Sequence, residues 1–326
     1  MLAVALIALL TAGLGCNASG TTGDGQSNQR NLLAERVDPS RMMERVEYLA
    51  GEELAGRATG SPQSAELENY LEEKLRQAGL EPVGELGLGG FRQEFQVPPD
   101  RCFLENPPPP DQAVTGANLL GKISGQTSGE MVILTANYDG LGKDAETGAI
   151  YPGADYNASG AAAILELATV ISSLGEIPGK TLVFALLGGE ECGGYGSRAL
   201  AQSLEEAGLR DGVRILNLEG LGGGEGDYMD VWDLNYRKNR PSVEAVEESA
   251  DFLGVELELG GADPGTSAGV FFMFHLAAVT LDWSWFERDE HVHFHRSSDL
   301  PETLNRDGMR KVTQVAGLAA WSLANR

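Results

Sequence analysis

The sequence predicts an α/β fold, a three-layer αβα sandwich around a mixed, mostly parallel sheet. Three observations carry that expectation. Residues 131–136 (MVILTA) and 181–187 (TLVFALL) are short, nearly unbroken apolar runs, the pattern of strands buried on both faces. Such runs alternate with segments whose apolar residues recur every three or four positions, the pattern of helices that cover a parallel sheet. From about Asp38 the alternation continues without an internal repeat or a second linker, so residues 38–326 read as one domain.

Taken in order, residues 1–15 are apolar with small residues interleaved, too short to span a bilayer and of a length that suits an export signal. Cleavage after Gly15 would leave Cys16 first, an arrangement similar to a bacterial lipoprotein signal, in which that cysteine is lipidated. The run departs from that pattern in having no Lys or Arg before it and Gly13 where leucine is usual. An ordinary cleaved signal with an incidental cysteine is the other reading, and either places the protein outside the cytoplasm, in a bacterial envelope or secreted. Residues 16–37, rich in Gly, Ser, Thr, Asn and Gln up to Asn31, read as a flexible linker.

Ser61 and Pro62 suit an N-cap and a first helical position, and Leu67, Tyr70, Leu71, Leu75 and Ala78 continue a helix that Gly79 stops. The proline-rich residues 106–111 suit an extended surface loop. After the strand at 131–136 come a helix at 158–170, strands at 181–187 and 214–218, a helix at 243–252, a strand at 278–281 and a closing helix at 309–323.

At 326 residues with 42% hydrophobic content the chain can bury a substantial core. Its 48 acidic and 24 basic residues give a net charge of -24, which repels phosphate backbones and anionic headgroups. Nucleic acid is therefore excluded as a partner, and membrane contact is expected only through a lipid on Cys16. Beyond Cys16, only Cys102 and Cys192 remain, without zinc-finger spacing; whether they pair is open.

In mostly parallel sheets ligands bind beyond the C-terminal strand ends. The residues that matter are then Asn137 to Asp139, Glu190 and Glu191, Glu219, and the loop after Leu281. Adjacent carboxylates behind a buried strand suit metal-assisted hydrolysis, one acting as general base and the other as ligand. A glutamate pair alone is more often solvated surface, so its neighbours decide.

Those neighbours form four segments in order: Asn137-Tyr138-Asp139, residues 151–160 (YPGADYNASG), residues 189–197 (GEECGGYGS) and residues 295–299 (HRSSD). Together with residues 49–57 (LAGEELAGR) and 91–95 (FRQEF), they resemble metallopeptidase family twenty-eight, the co-catalytic zinc aminopeptidases, whose relatives include glutaminyl cyclases and glutamate carboxypeptidase. The resemblance implies a zinc-exopeptidase-like fold and hydrolysis of N-terminal residues from peptides. It also implies two zinc ions bridged by an aspartate and a water, with a non-ligand glutamate taking the water's proton. By position, Glu190 looks like that base, Glu191 like a ligand of one zinc, and His295 like the histidine on the same ion. Glu219 stands where the family usually has an aspartate ligand for the second zinc.

Two positions depart from the pattern. Asn137 replaces the histidine of His-x-Asp, and an amide oxygen is a poor zinc ligand beside imidazole; Asp139, which orients that histidine in the family, is left without it. Tyr156 replaces the bridging aspartate with a bulky phenol whose free pKa is near 10. Asp155 beside it points elsewhere unless the loop shifts. If residues 290–294 were extended, His291 and His293 would share a side with His295 and offer substitute ligands, whereas His275 reads as a packing or surface residue. The family's Ser-Asp-His segment is here Thr266-Ser267-Ala268, which implies altered substrate recognition.

At most one zinc is expected, with a peptide or small molecule as substrate. Three readings stay open: an exported zinc aminopeptidase with an impaired metal site, an inactive peptide- or partner-binding homologue, and a single-metal hydrolase or cyclase-like enzyme. Oligomeric state is not readable from these features.

Overall fold

A computed structural model of the protein describes residues 21–102, 104, 107–224, 226–261, 265–284 and 291–326. Its strands are β1 (Arg92–Val97), β2 (Val114–Ile123), β3 (Met131–Asn137), β4 (Thr181–Leu187), β5 (Val213–Leu218), β6 (Tyr228–Trp232), β7 (Glu256–Gly260) and β8 (Ala277–Trp283). They form one sheet in the order β1-β2-β4-β3-β5-β8-β6-β7. The helices are α1 (Thr21–Arg36), α2 (Pro39–Leu49), α3 (Ser64–Gln77), α4 (Gly160–Ser172), α5 (Tyr195–Glu206), α6 (Arg240–Leu253), α7 (Ser267–Met273) and α8 (Arg306–Ala324).

The central strands are largely apolar because both faces are covered. Alternate side chains of a strand point to opposite faces. Val132, Leu134 and Ala136 of β3 join Leu182, Phe184 and Leu186 of β4 in the core that α1 to α4, α6 and α8 share. Met131 and Ile133, with Val183, Ala185 and Leu187, face the other way onto Leu200 and Leu204 of α5 and Phe271 of α7. This is the expected three-layer arrangement. Each such leucine or phenylalanine contributes roughly 1.5–3 kcal/mol by leaving water.

Register positions the site. β3 pairs in parallel with β4 from Met131↔Thr181 to Asn137↔Leu187, β3 with β5 through Thr135↔Asn217, and β5 with β8 through Leu218↔Leu281. Four strands therefore end along one edge of the sheet. Antiparallel pairing adds β1 and β2 on one flank and joins β6 to β8 on the other.

Several boundaries differ from the sequence reading. The linker expected over residues 16–37 is helical from Thr21, and its last turns pack on the core, with Leu33 fully buried and Gln314 Nε2 donating to the Ala34 carbonyl at 2.7 Å. Residues 1–20, with the expected signal and Cys16, lie outside the described residues. Helix α3 starts at Ser64 with Gln63 as its cap, not at Ser61, because residues 61–63 form a turn. Residues 107–110 lie outside helices and strands, as expected of the proline-rich loop. No helix among the described residues is long and apolar enough to cross a membrane.

Candidate functional site

The chain leaves β4 through Gly188 and Gly189 into a tight turn. Gly189 has φ +66°, a left-handed conformation that glycine adopts without a Cβ penalty. The amides of Gly193 and Gly194 both donate to the Glu190 carbonyl at 2.9 Å. Beneath the turn, the buried Asp139 carboxylate accepts from Glu190 N and Glu191 N, each at 3.2 Å, and from Thr59 Oγ1 at 3.1 Å. Asp139 thus has work here that does not require a histidine at 137: it fixes the two glutamates. Burial, helped by the charges of Glu191 and Glu190, drives its carboxyl well above the usual range despite those donors.

Glu190 is clamped at both oxygens. Ser197 N donates to Oε1 at 2.6 Å and Ser267 Oγ donates to Oε2 at 2.7 Å. Burial raises its pKa to about 7, with the Glu219 charge adding to the rise and the two serine donors opposing it. Ser267 N also donates to Glu219 Oε1 at 3.1 Å, joined there by Asn217 Nδ2 at 2.7 Å, while Tyr156 Oη donates to Glu219 Oε2 at 2.6 Å. A single chain of hydrogen bonds therefore runs from Glu190 through Ser267 and Glu219 to Tyr156. In the sequence, only its place in the 266–268 segment, which departs from the family pattern, marks Ser267.

Asn137 is buried, and its Oδ1 accepts from Asn157 Nδ2 at 2.8 Å. His295 is exposed, with φ +55°, and its Nε2 lies 3.7 Å from Glu191 Oε2. Its ring stacks on Phe294 at 3.8 Å, and Tyr156 meets Phe294 edge-on at 4.8 Å. The structure thus gathers Glu190, Glu191, Glu219, Tyr156 and His295, with Asn137 and Asp139 beneath.

The loop that carries Tyr156 is pinned from below. Asp299 accepts from Asp155 N at 2.8 Å and Tyr156 N at 3.2 Å. Asp155 turns away from the glutamates, accepting from Gly222 N at 2.8 Å and meeting His291 Nδ1 at 2.9 Å. His291 Nε2 lies 3.0 Å from the Trp283 carbonyl, so both ring nitrogens are engaged. Burial opposes a charged ring, but these acceptors outweigh it and raise the His291 pKa. His293 Nδ1 lies 2.9 Å from Ser298 Oγ. Residues 292–295 form turns rather than the extended segment that would bring these two histidines to His295 as substitute ligands.

Arg57, also not singled out in the sequence, is buried with φ +57°. It donates to the carbonyls of Tyr138, Leu49, Pro152 and Gly153 at 2.9, 2.7, 2.5 and 2.9 Å. Burial lowers its pKa to about 10, still well above neutrality, with Asp299, Asp139 and Glu191 opposing the fall.

The donor set decides what metal the site suits. Two ligand atoms on one tetrahedral zinc lie about 3.3 Å apart, so the 3.7 Å between Glu191 Oε2 and His295 Nε2 suits a shared ion. The second-site positions are engaged in hydrogen bonds of their own. The Asn137 oxygen is committed to Asn157, and both oxygens of Glu219 accept internal hydrogen bonds, one from the phenol at the bridging position. Among the described residues no three His, Cys, Asp or Glu side chains converge as metal ligands.

Comparison with known proteins places this geometry. The chain is 31% identical over 153 residues to a probable zinc metalloprotease of Pyrenophora tritici-repentis, a match covering 45% of this chain and 31% of that protein. It therefore spans about a third of that relative's length. Among solved structures, an aminopeptidase from Aneurinibacillus sp. strain AM-1 superimposes with a TM-score of 0.73 at 15% identity, covering 91% of this chain and 96% of that one. The Legionella pneumophila LapA aminopeptidase gives 0.71 at 18% identity over 92% and 75%. The glutaminyl cyclase of Fimbriiglobus ruber gives 0.69 at 19% over 87% and 95%. At such identities these likenesses speak for the fold. A model described as Peptidase family M28 matches residues 118–320, a stretch that holds Asn137, Tyr156, Glu190, Glu191, Glu219 and His295 and exceeds half of the sequence, and the chain belongs to that family.

Proposed function

We propose that this chain is an exported, peptide-directed member of the family in which the two-zinc centre has been dismantled. It holds at most one zinc, between Glu191 and His295, and binds peptide N-termini with little turnover. The observation that carries this reading is the 2.6 Å hydrogen bond from the Tyr156 phenol to Glu219 Oε2. A phenol that donates its proton occupies the place of a short anionic bridge, and it ties up the carboxylate the second ion would need. The remaining acidic cluster attracts the α-ammonium of a peptide, and Tyr156 and Phe294 offer an aromatic wall beside it.

A zinc bound at this place would supply Lewis acidity and an acidified water. For the chain's own residues, Glu190 is the group held ready to accept a proton, fixed by Ser197 N and Ser267 Oγ. The spacing of Glu191 and His295 together with that fixed base favours, as second reading, a single-metal hydrolase or cyclase-like enzyme. Export is consistent with the Cys102–Cys192 disulfide, a bond that persists in oxidising compartments.

Metal analysis by mass spectrometry after equilibration with excess zinc tests the proposal. One zinc or none per chain is expected, and two tightly held zincs would sink it. Aminoacyl p-nitroanilides should turn over little; brisk turnover abolished by Glu190→Gln would establish the second reading instead.

A further inference from the structure

The disulfide between Cys102 and Cys192 joins segments 90 residues apart, and one of its ends directly follows Glu191. We propose that this bridge is a positioning staple for the Glu190–Glu191 turn, released by dithiol reductants. The turn is held unevenly. On its β4 side, Asp139 grips the amides of Glu190 and Glu191, and Thr59 Oγ1 accepts from Gly189 N at 3.0 Å. Past Glu191, the Gly193 and Gly194 amides bond back to Glu190 within the same turn, and backbone contact with another element resumes at Gly196, whose carbonyl accepts from Asn118 Nδ2 of β2 at 2.8 Å. The bridge at Cys192 fastens that half to a separate element, the single helical turn Pro99–Arg101 that follows β1.

The other end of the bridge lies beside Leu104, which borders a cavity. Leu104 N donates to the Cys102 carbonyl at 2.9 Å, and Leu104 and Pro108 line a cavity of about 410 Å³ with Gly60, Ser64 and Glu68. Thr59, next to Gly60, is the residue that donates to Asp139. The bridge thus ties the turn covalently to a segment that borders the same cavity as Gly60, while Thr59 and Asp139 hold the two glutamates from the other side. Cys192 acts through Glu191 and Glu190, and it is a positioning residue.

Release balances as a two-electron exchange. Cys192 is buried and Cys102 half-buried, so a reductant thiolate attacks the Cys102 sulfur, and Cys192 leaves as a thiolate that takes a proton. The reductant's second thiol then closes on the mixed disulfide. Cys102 departs as a thiol, and the reductant leaves as a cyclic disulfide.

Amide hydrogen exchange on the full mature chain, oxidised and after dithiothreitol, tests the staple. Reduction should speed exchange of residues 190–197 at least tenfold, leave Thr181–Leu187 of β4 unchanged, and be reversed on reoxidation. Cys102→Ser with Cys192→Ser should reproduce the reduced pattern. Three results would each overturn the proposal: unchanged exchange at 190–197, an equal rise across β4, or alkylation of both Cys102 and Cys192 in the unreduced, denatured protein, read by peptide mapping. The readout does not depend on zinc or on turnover, so it fails independently of the proposed function.

Discussion

On the proposed reading Tyr156 and Asn137 limit the metal capacity of the site, and each is engaged in a hydrogen bond of its own. Tyr156→Asp removes the phenol from Glu219, and Asn137→His replaces the amide committed to Asn157. The double variant should take up more zinc than the parent, approaching two ions per chain by mass spectrometry; an unchanged stoichiometry would place the defect elsewhere. A second residue-scale prediction concerns Asp230 and Asp282, buried cross-strand partners on β6 and β8. Burial, then the neighbouring Asp230 charge, raises the Asp282 pKa well above its ordinary value. A raised carboxyl favours the folded state when protonated, so its contribution is complete below the unfolded pKa near 3.9 and is lost as pH climbs through the folded one. Denaturant titrations should show stability falling across that window by up to about 1.4 kcal/mol per pH unit for this proton, with a shallower fall in Asp282→Asn. Residues that sit in a recognisable motif, such as Glu190 and His295, could be picked out in the sequence as candidates. Ser267, Thr59 and Arg57 were not singled out, because a serine, a threonine and an arginine announce nothing until the fold brings their partners close.

At the scale of elements, the strands that could be read were those buried on both faces. β3 and β4 are nearly unbroken apolar runs, whereas edge strands β1 and β7 mix exposed and buried positions along more polar sequences. β2 carries Gly116 and Gly121, which break its apolar signal; a Cβ at Gly121 would sit 2.8 Å from Leu80 Cδ1. Helix α1 was hidden for a different reason: its first turns have the composition of a linker, and only docking of its last turns onto α8 reveals what it does. Leu33→Ala should therefore cost about 2–5 kcal/mol in a denaturant titration. A cost near zero would return this segment to the status of a tether.

For the whole molecule, the net charge of -24 acts as self-repulsion spread over the surface. Screening shortens its reach to about 10 Å at 0.1 M salt, so the melting temperature should climb by several degrees between low and physiological ionic strength; a flat response would mean that the acidic groups are already locally compensated. Inside this anionic shell, Arg57 is a counter-ion built into the chain, hung from four carbonyls and facing Asp139, Asp299 and Glu191. A zinc ion has a dissociation constant and yields to a chelator, but a guanidinium on a covalent stem does neither. Treatment with EDTA should accordingly leave the floor of the site charged, ordered and folded, whatever it strips from the rim.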